Sequence, residues 1–81
     1  MRVKRKNGAE EEFVREKIVV AVVKAGGKPE LARAIAQETE KEFAGRNVVA
    51  SQEVRQKVLD KLKARDAATY ESWMKYDETK Q

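Results

Sequence analysis

Read from Val14 onward, the apolar positions of this chain fall into four stripes at helical spacing. In the first, Ile18, Ala21, Val22 and Ala25 follow the i, i+3, i+4, i+7 pattern of one helix face. The run Ile18-Val19-Val20-Ala21-Val22-Val23 is β-branched and on propensity alone reads as a buried strand. Spacing decides for a helix over Val14 to Ala25, with Arg15, Glu16 and Lys17 in its first turn and Gly26-Gly27 as its stop. A second helix opens at Pro29, which suits the first helical position, and carries the stripe Leu31, Ile35, Thr39 and Phe43 before Gly45 ends it. Ser51 reads as the N-cap of a third helix whose face is Val54, Val58, Leu59 and Leu62. Asp66 reads as the cap of a fourth, running through Tyr70, Trp73 and Met74, with Asp77 to Gln81 as a frayed tail.

The segments between and before these stripes read as strands. Asn7-Gly8 joins two short arms, and this pair favours a type I′ hairpin turn because both residue types tolerate positive φ. An arm carrying Arg5 and Lys6 then faces one carrying Glu11 and Phe13, with Lys17 about one helical turn beyond. Asn47 to Ala50 is too short for a helix and suits a third strand added to the hairpin. The predicted order is strand, strand, helix, helix, strand, helix, helix, in one small domain spanning residues 1–81.

Composition narrows the chemistry. Eighty-one residues, 41% hydrophobic and 40% charged with a mean hydropathy of -0.78, can form a thin core that buries roughly 60–65% of the unfolded chain's surface. The net charge of +4 and pI near 9.5 favour polyanionic partners without choosing among them. Cys and His are absent, which removes disulfides, thiolate and imidazole metal sites and the usual nucleophiles and general base. No phosphate-binding glycine loop of the G-x-x-x-x-G-K-[ST] kind exists, since Gly26-Gly27-Lys28 ends a helix instead of opening one. No catalytic activity and no metal site are therefore expected. The chain also has no apolar run suited to a membrane span or a signal peptide, so a cytoplasmic protein is expected.

Arg5, Lys6 and Lys17 together suit a triphosphate, Arg by its planar fork and each Lys as a mobile point charge. The alternative is that Arg2, Lys4, Arg5 and Lys6 guard an edge strand. Glu10, Glu11 and Glu12 are expected to pair across the hairpin with Lys4 and Lys6, while Glu11 also suits hydrogen bonds from a sugar or a base amino group. Phe13 and Ile18 open the apolar stripe and read first as core, with Ile18 kept among the residues next to a ligand. Ser51 reads as a cap whose hydroxyl also suits a ligand at a helix N-terminus. Tyr70, Trp73 and Tyr76 read as packing, with Trp73 and Met74 as an alternative interface.

These residues resemble a known pattern. Val3 to Ile18 is similar to the opening of the ATP-cone family, V-x-K-R-D-G-x-x-E-x-F-D-x-x-K-I, with Gly8, Glu11, Phe13, Lys17 and Ile18 at matching positions. Arg5-Lys6 swaps the Lys-Arg order, and Asn7 stands for Asp. Ala21 to Gly26 resembles A-I-x-K-A-G, Ser51 to Val54 resembles [ST]-x-E-I, and Asp66 to Tyr70 resembles D-x-x-A-Y. The resemblance implies an α+β fold, a small four-helix bundle capped by a β-hairpin and three-stranded sheet, acting as an ATP- or dATP-binding regulatory module, with Mg²⁺ as companion ion. It places Arg5, Lys6 and Lys17 on the phosphates, Glu11 and Val14 at the nucleoside and Ser51 near the ribose. Val14 departs from the family's Asp or Asn, offers neither a cap nor a polar contact, and predicts adenine selectivity or nucleotide binding that is weakened or lost.

The family module normally precedes a catalytic or DNA-binding domain, so an incomplete or independent chain is expected, working through a protein partner or a homo-oligomer. Two alternatives stand beside this reading. One is a basic nucleic-acid binder, motivated by the charge and by Arg2, Lys4, Arg5 and Lys6, and weakened by Glu10 to Glu12. The other is a degenerate cone that serves only in oligomerisation or docking, motivated by Val14.

Overall fold

The computed structural model describes residues 1–79. Strands β1 (Arg2–Lys4) and β2 (Glu10–Glu12) form the hairpin, followed by helices α1 (Arg15–Lys24) and α2 (Pro29–Glu42). Strand β3 (Val48–Ala50) then leads directly into α3 (Ser51–Arg65) and α4 (Ala67–Thr79). The expected order of elements is therefore observed, and the fold is α+β with a mixed three-stranded sheet. Helix α4 continues through Thr79; Lys80 and Gln81, the rest of the segment expected to fray, lie outside the described residues.

The sheet order is β2-β1-β3, with β1 antiparallel to β2 and parallel to β3. Arg2 and Lys4 thus sit on the central strand, which removes the edge-guarding explanation for them. Register pairs Val3 with Glu11 on one side and with Val49 on the other, so these three share the face turned toward the helices. Val49 is fully buried there.

The hairpin turn corrects the type I′ expectation. Only Gly8 takes a positive φ, 88°, and no residue other than glycine does so. The Gly8 N–H donates to Arg5 O at 2.9 Å, the Arg5 N–H donates to Ala9 O at 2.8 Å, and the Ala9 N–H donates to Asn7 Oδ1 at 3.0 Å. Lys6, Asn7 and Gly8 thereby form a three-residue loop with glycine in the left-handed position. The Asn7 side chain closes the turn from outside, so its own backbone stays in the ordinary region.

Helix α1 wins over its strand-like composition because its C-terminus is defined and one face is buried. At its C-terminus the Gly26 N–H donates to Val23 O and the Gly27 N–H to Val22 O, at 2.9 and 3.0 Å, with Gly26 at φ 107°. This is the double-bonded glycine stop that satisfies the last carbonyls. Its buried residues are Ile18, Val19 and Val22, whereas Ala21 and Ala25 are only partly covered. The face is rotated from the expected one because α4 stands off from this side of α1 across an open cleft.

The helices pack in series, α1 on α2, α2 on α3 and α3 on α4. Ile18, Val19, Val22, Ala32, Ile35, Ala36, Val58 and Leu62 form one core cluster, with Phe13, Leu31, Val54, Tyr70 and Trp73 packed against it. Ala32 and Ala36 are fully buried and let α1 and α2 approach closely. The buried Thr39 hydroxyl donates to Ile35 O at 2.8 Å, so its polar group is satisfied within α2. Asp66 caps α4 as expected, accepting from the Thr69 N–H at 3.1 Å and the Thr69 hydroxyl at 2.6 Å. These bonds, the hydroxyl's first, hold the Asp66 carboxyl below its usual pKa.

Gly27 is where the α1–α2 turn meets the first turn of α4. A Cβ there lies 2.7 Å from Val22 Cγ1 and 3.4 Å from Thr69 Cγ2, both on buried side chains. Gly27→Ala is expected to destabilise the protein by about 1–3 kcal/mol, read as a lowered midpoint in thermal denaturation. A second test concerns Glu38, which receives Arg65 at 2.8 Å and Lys61 at 3.3 Å. Arg65 foremost, then Lys61, lowers its pKa from the usual 4.5 to about 2. A depressed carboxyl contributes stability above its unfolded pKa and loses it as pH falls toward the folded one. Glu38→Gln is therefore expected to flatten the acid loss of stability between about pH 4.5 and 2. At neutral pH it should cost less than about 1 kcal/mol, because the pair is solvent-screened.

Candidate functional site

The two helices start at opposite ends of the sheet, α3 beside the hairpin turn and α1 at the end where Glu12 pairs with Arg2. Ala50 pairs with Lys4, and Ser51 follows it, so α3 begins beside the point where β1 passes into the hairpin turn. Phe13 and Val14 link β2 to α1, which brings Lys17 back over the sheet edge. The α3 N-terminus, the positive end of its dipole, thus lies by the hairpin turn, and that of α1 lies past the far end of β2.

Neither N-terminus carries a side-chain cap. Val14 occupies the N-cap position of α1 in extended conformation, φ −123° and ψ 109°, and makes no capping bond. For α3 the N-cap is Ala50, not Ser51: strand pairing holds Ala50 extended, and Ser51 is already the first helical residue. Ala50 has no side-chain acceptor, but its own N–H donates to Glu53 Oε2 at 2.9 Å. Arg46 fixes Glu53 through two bonds of 3.0 and 3.2 Å. Arg46, then the Ala50 N–H, holds the Glu53 carboxyl below its usual pKa. The Ser51 hydroxyl is thereby left out of the capping role expected for it.

Three of the predicted residues come together on one carboxylate. Arg5 Nη2 donates to both oxygens of Glu11, each at 3.1 Å, and Lys17 Nζ donates to Oε1 at 3.4 Å. Arg5 first, then Lys17, lowers the Glu11 pKa from its usual value. All three side chains remain open to solvent, so the cluster is a surface device. Lys6 lies exposed in the turn, without an ion-pair partner among the described residues. Ile18 is 8% exposed and belongs to the core cluster, as the apolar stripe required.

The other carboxylates of the hairpin choose partners that differ from those expected. Arg2, not Lys4 or Lys6, pairs with Glu10 at 3.2 Å and with Glu12 at 3.7 Å. Register places Arg2 opposite Glu12 and one step diagonal to Glu10, and Lys6 lies beyond the ladder in the turn. The terminal amine of Met1 adds a contact to Glu12 at 3.6 Å. Arg2 and Arg5 of the basic arm are thus paired with acid.

One element had no signal in the chain. An open cleft of about 740 Å³ runs between α1 and α4, lined by Lys17 and Lys24 on one side and by Trp73 and Tyr76 on the other. It depends on the angle at which α4 leaves Asp66, which no residue spacing encodes. Lys17 contributes to this cleft and to the Glu11 cluster alike. Among the described residues, no helix is long and apolar enough to cross a membrane.

Among curated proteins no sequence matches this one. The family model described as the ATP cone domain matches residues 1–81. The chain therefore belongs to the ATP cone domain family, a family of nucleotide-binding regulatory modules.

Proposed function

We propose that this chain senses ATP or dATP at the cluster of Arg5, Lys6 and Lys17, and signals occupancy to a partner protein or a second copy without catalysing a reaction. The observation that carries this reading is the convergence of Arg5 and Lys17 on the Glu11 carboxylate beside the start of α1. Two cations from separate elements meet there on an anion, as a phosphate chain requires. The uncapped start of α1, which carries Lys17, leaves backbone N–H groups to add to that field. Glu11 and the Val14 position face the nucleoside in this proposal, Ser51 lies near the ribose, and Ile18 backs the site from the core. Any Mg²⁺ arrives with the phosphates and is held by them. A cytoplasmic setting suits a sensor of the nucleotide pool. Sensing is favoured over catalysis because the sequence has neither His nor Cys.

A second reading rests on Val14, which makes no cap and offers no polar group to a base. In that reading the module keeps its fold and serves only in docking. The nucleic-acid alternative draws less support, since Glu10, Glu11 and Glu12 neutralise Arg2 and Arg5 within the hairpin.

Calorimetric titration with ATP, dATP and GTP tests the proposal. Saturable one-to-one ATP binding is expected, and Arg5→Ala or Lys17→Ala should each weaken it about tenfold or more, equivalent to ~1.4 kcal/mol, with an unchanged circular-dichroism spectrum. Absence of heat with every nucleotide at millimolar concentration sinks the sensor reading and leaves the docking one. Val14→Asn supplies the missing cap and should stabilise the protein by about 0.5–2 kcal/mol in denaturant unfolding. In the sensor reading the same substitution raises the preference for ATP over GTP; an unchanged ratio argues against a base contact at this position.

A further inference from the structure

We propose that Glu11 is an internal counter-ion that holds the cation cluster shut, so that a phosphate chain binds by displacing its carboxylate from Arg5 and Lys17. The inference rests on the assignment of those cations to phosphate. Both Glu11 oxygens are engaged by Arg5 at 3.1 Å, and Lys17 closes on one of them at 3.4 Å. A carboxylate and a phosphate edge present the same pair of acceptor oxygens to a guanidinium, so they compete for the same donors.

Geometry separates Glu11 from its neighbours. Glu10 and Glu12 point to the outer face of the sheet and pair with Arg2, whereas Glu11 shares the inner face with Val3 and Val49. Only Glu11, of the three, reaches across to α1. The bridge therefore ties the hairpin to the first turn of α1 through Arg5, Glu11 and Lys17. A ligand that takes both cations replaces an internal tie with an external one, and the carboxylate it releases is free to turn to the nucleoside. Because the displaced pairs are solvent-exposed, the barrier they set is modest and sensitive to salt.

The test separates the phosphate chain from the nucleoside by titrating the full chain with sodium tripolyphosphate and with ATP, in parallel, at fixed ionic strength. Wild type, Glu11→Gln and Glu11→Ala are compared, with Lys17→Ala as the control that removes a cation. Both Glu11 substitutions are expected to tighten tripolyphosphate binding by about three- to tenfold, the range for releasing two exposed ion pairs, and the gain should shrink at higher salt. ATP should gain less than tripolyphosphate, because the nucleoside loses the carboxylate that turns to it. Equal or weaker tripolyphosphate binding in both variants overturns the displacement proposal, while ATP binding by the wild type keeps the sensor reading intact. If neither ligand binds any form, the sensor reading and this proposal fall together. A gain in Glu11→Gln alone assigns the effect to a new amide contact and also overturns displacement.

Discussion

The parallel pairing of β1 with β3 is the constraint on which the rest of the molecule depends. It joins the first residues of the chain to a segment more than forty positions later, with Arg2, Val3 and Lys4 opposite Val48, Val49 and Ala50. Everything between them, β2, α1 and α2, must fold back to let this pairing close. Because β3 runs without a break into α3, the pairing also decides where α3 starts and which way its N-terminus points. Burial of Val49 against the helices holds the register, since a slip of one residue exchanges it for the exposed Val48 or Ala50.

Around this pairing the charges are arranged as local couples. Arg2 serves Glu10 and Glu12 on the outer face, Arg5 and Lys17 serve Glu11 on the inner one, and Arg46 serves Glu53 at the start of α3. Farther away, Glu38 and Glu42 are held by Lys61, with Arg65 on Glu38 and Lys57 on Glu42. Each exposed pair contributes little to stability by itself. Their joint effect is to neutralise much of the charge locally, while Lys4 and Lys6 beside the hairpin turn keep theirs.

Element order, the helix assignment of the β-branched α1 and the Asp66 cap were legible because each rests on local chemistry within a few residues. Gly26-Gly27 stops α1 and Pro29 opens α2 whatever the rest of the chain does. The buried face of α1 was read one step out of place, since Ala21 and Ala25 look as apolar as Ile18 and Val22 but border the α4 cleft. The turn type was misread because Asn7 bonds through its side chain instead of taking the left-handed backbone. Ser51 looked like a cap, but the cap position is decided by where β3 pairing ends, a nonlocal matter. For the site, the residue types were legible and their contacts were not. That Glu11 faces inward, and meets Arg5 and Lys17 instead of Lys4 or Lys6, depends on a register of pairing that carries no mark in the sequence.

Lys17 stands at two surfaces at once, the Glu11 cluster and the cleft between α1 and α4. If each surface took an occupant, both would draw on the same side chain, and their binding free energies would not be independent. Thermodynamic linkage makes such a dependence reciprocal: whatever factor the first occupant imposes on the second, the second imposes on the first. Coupling of that kind would need no change of fold, because one lysine on the first turn of α1 borders both surfaces.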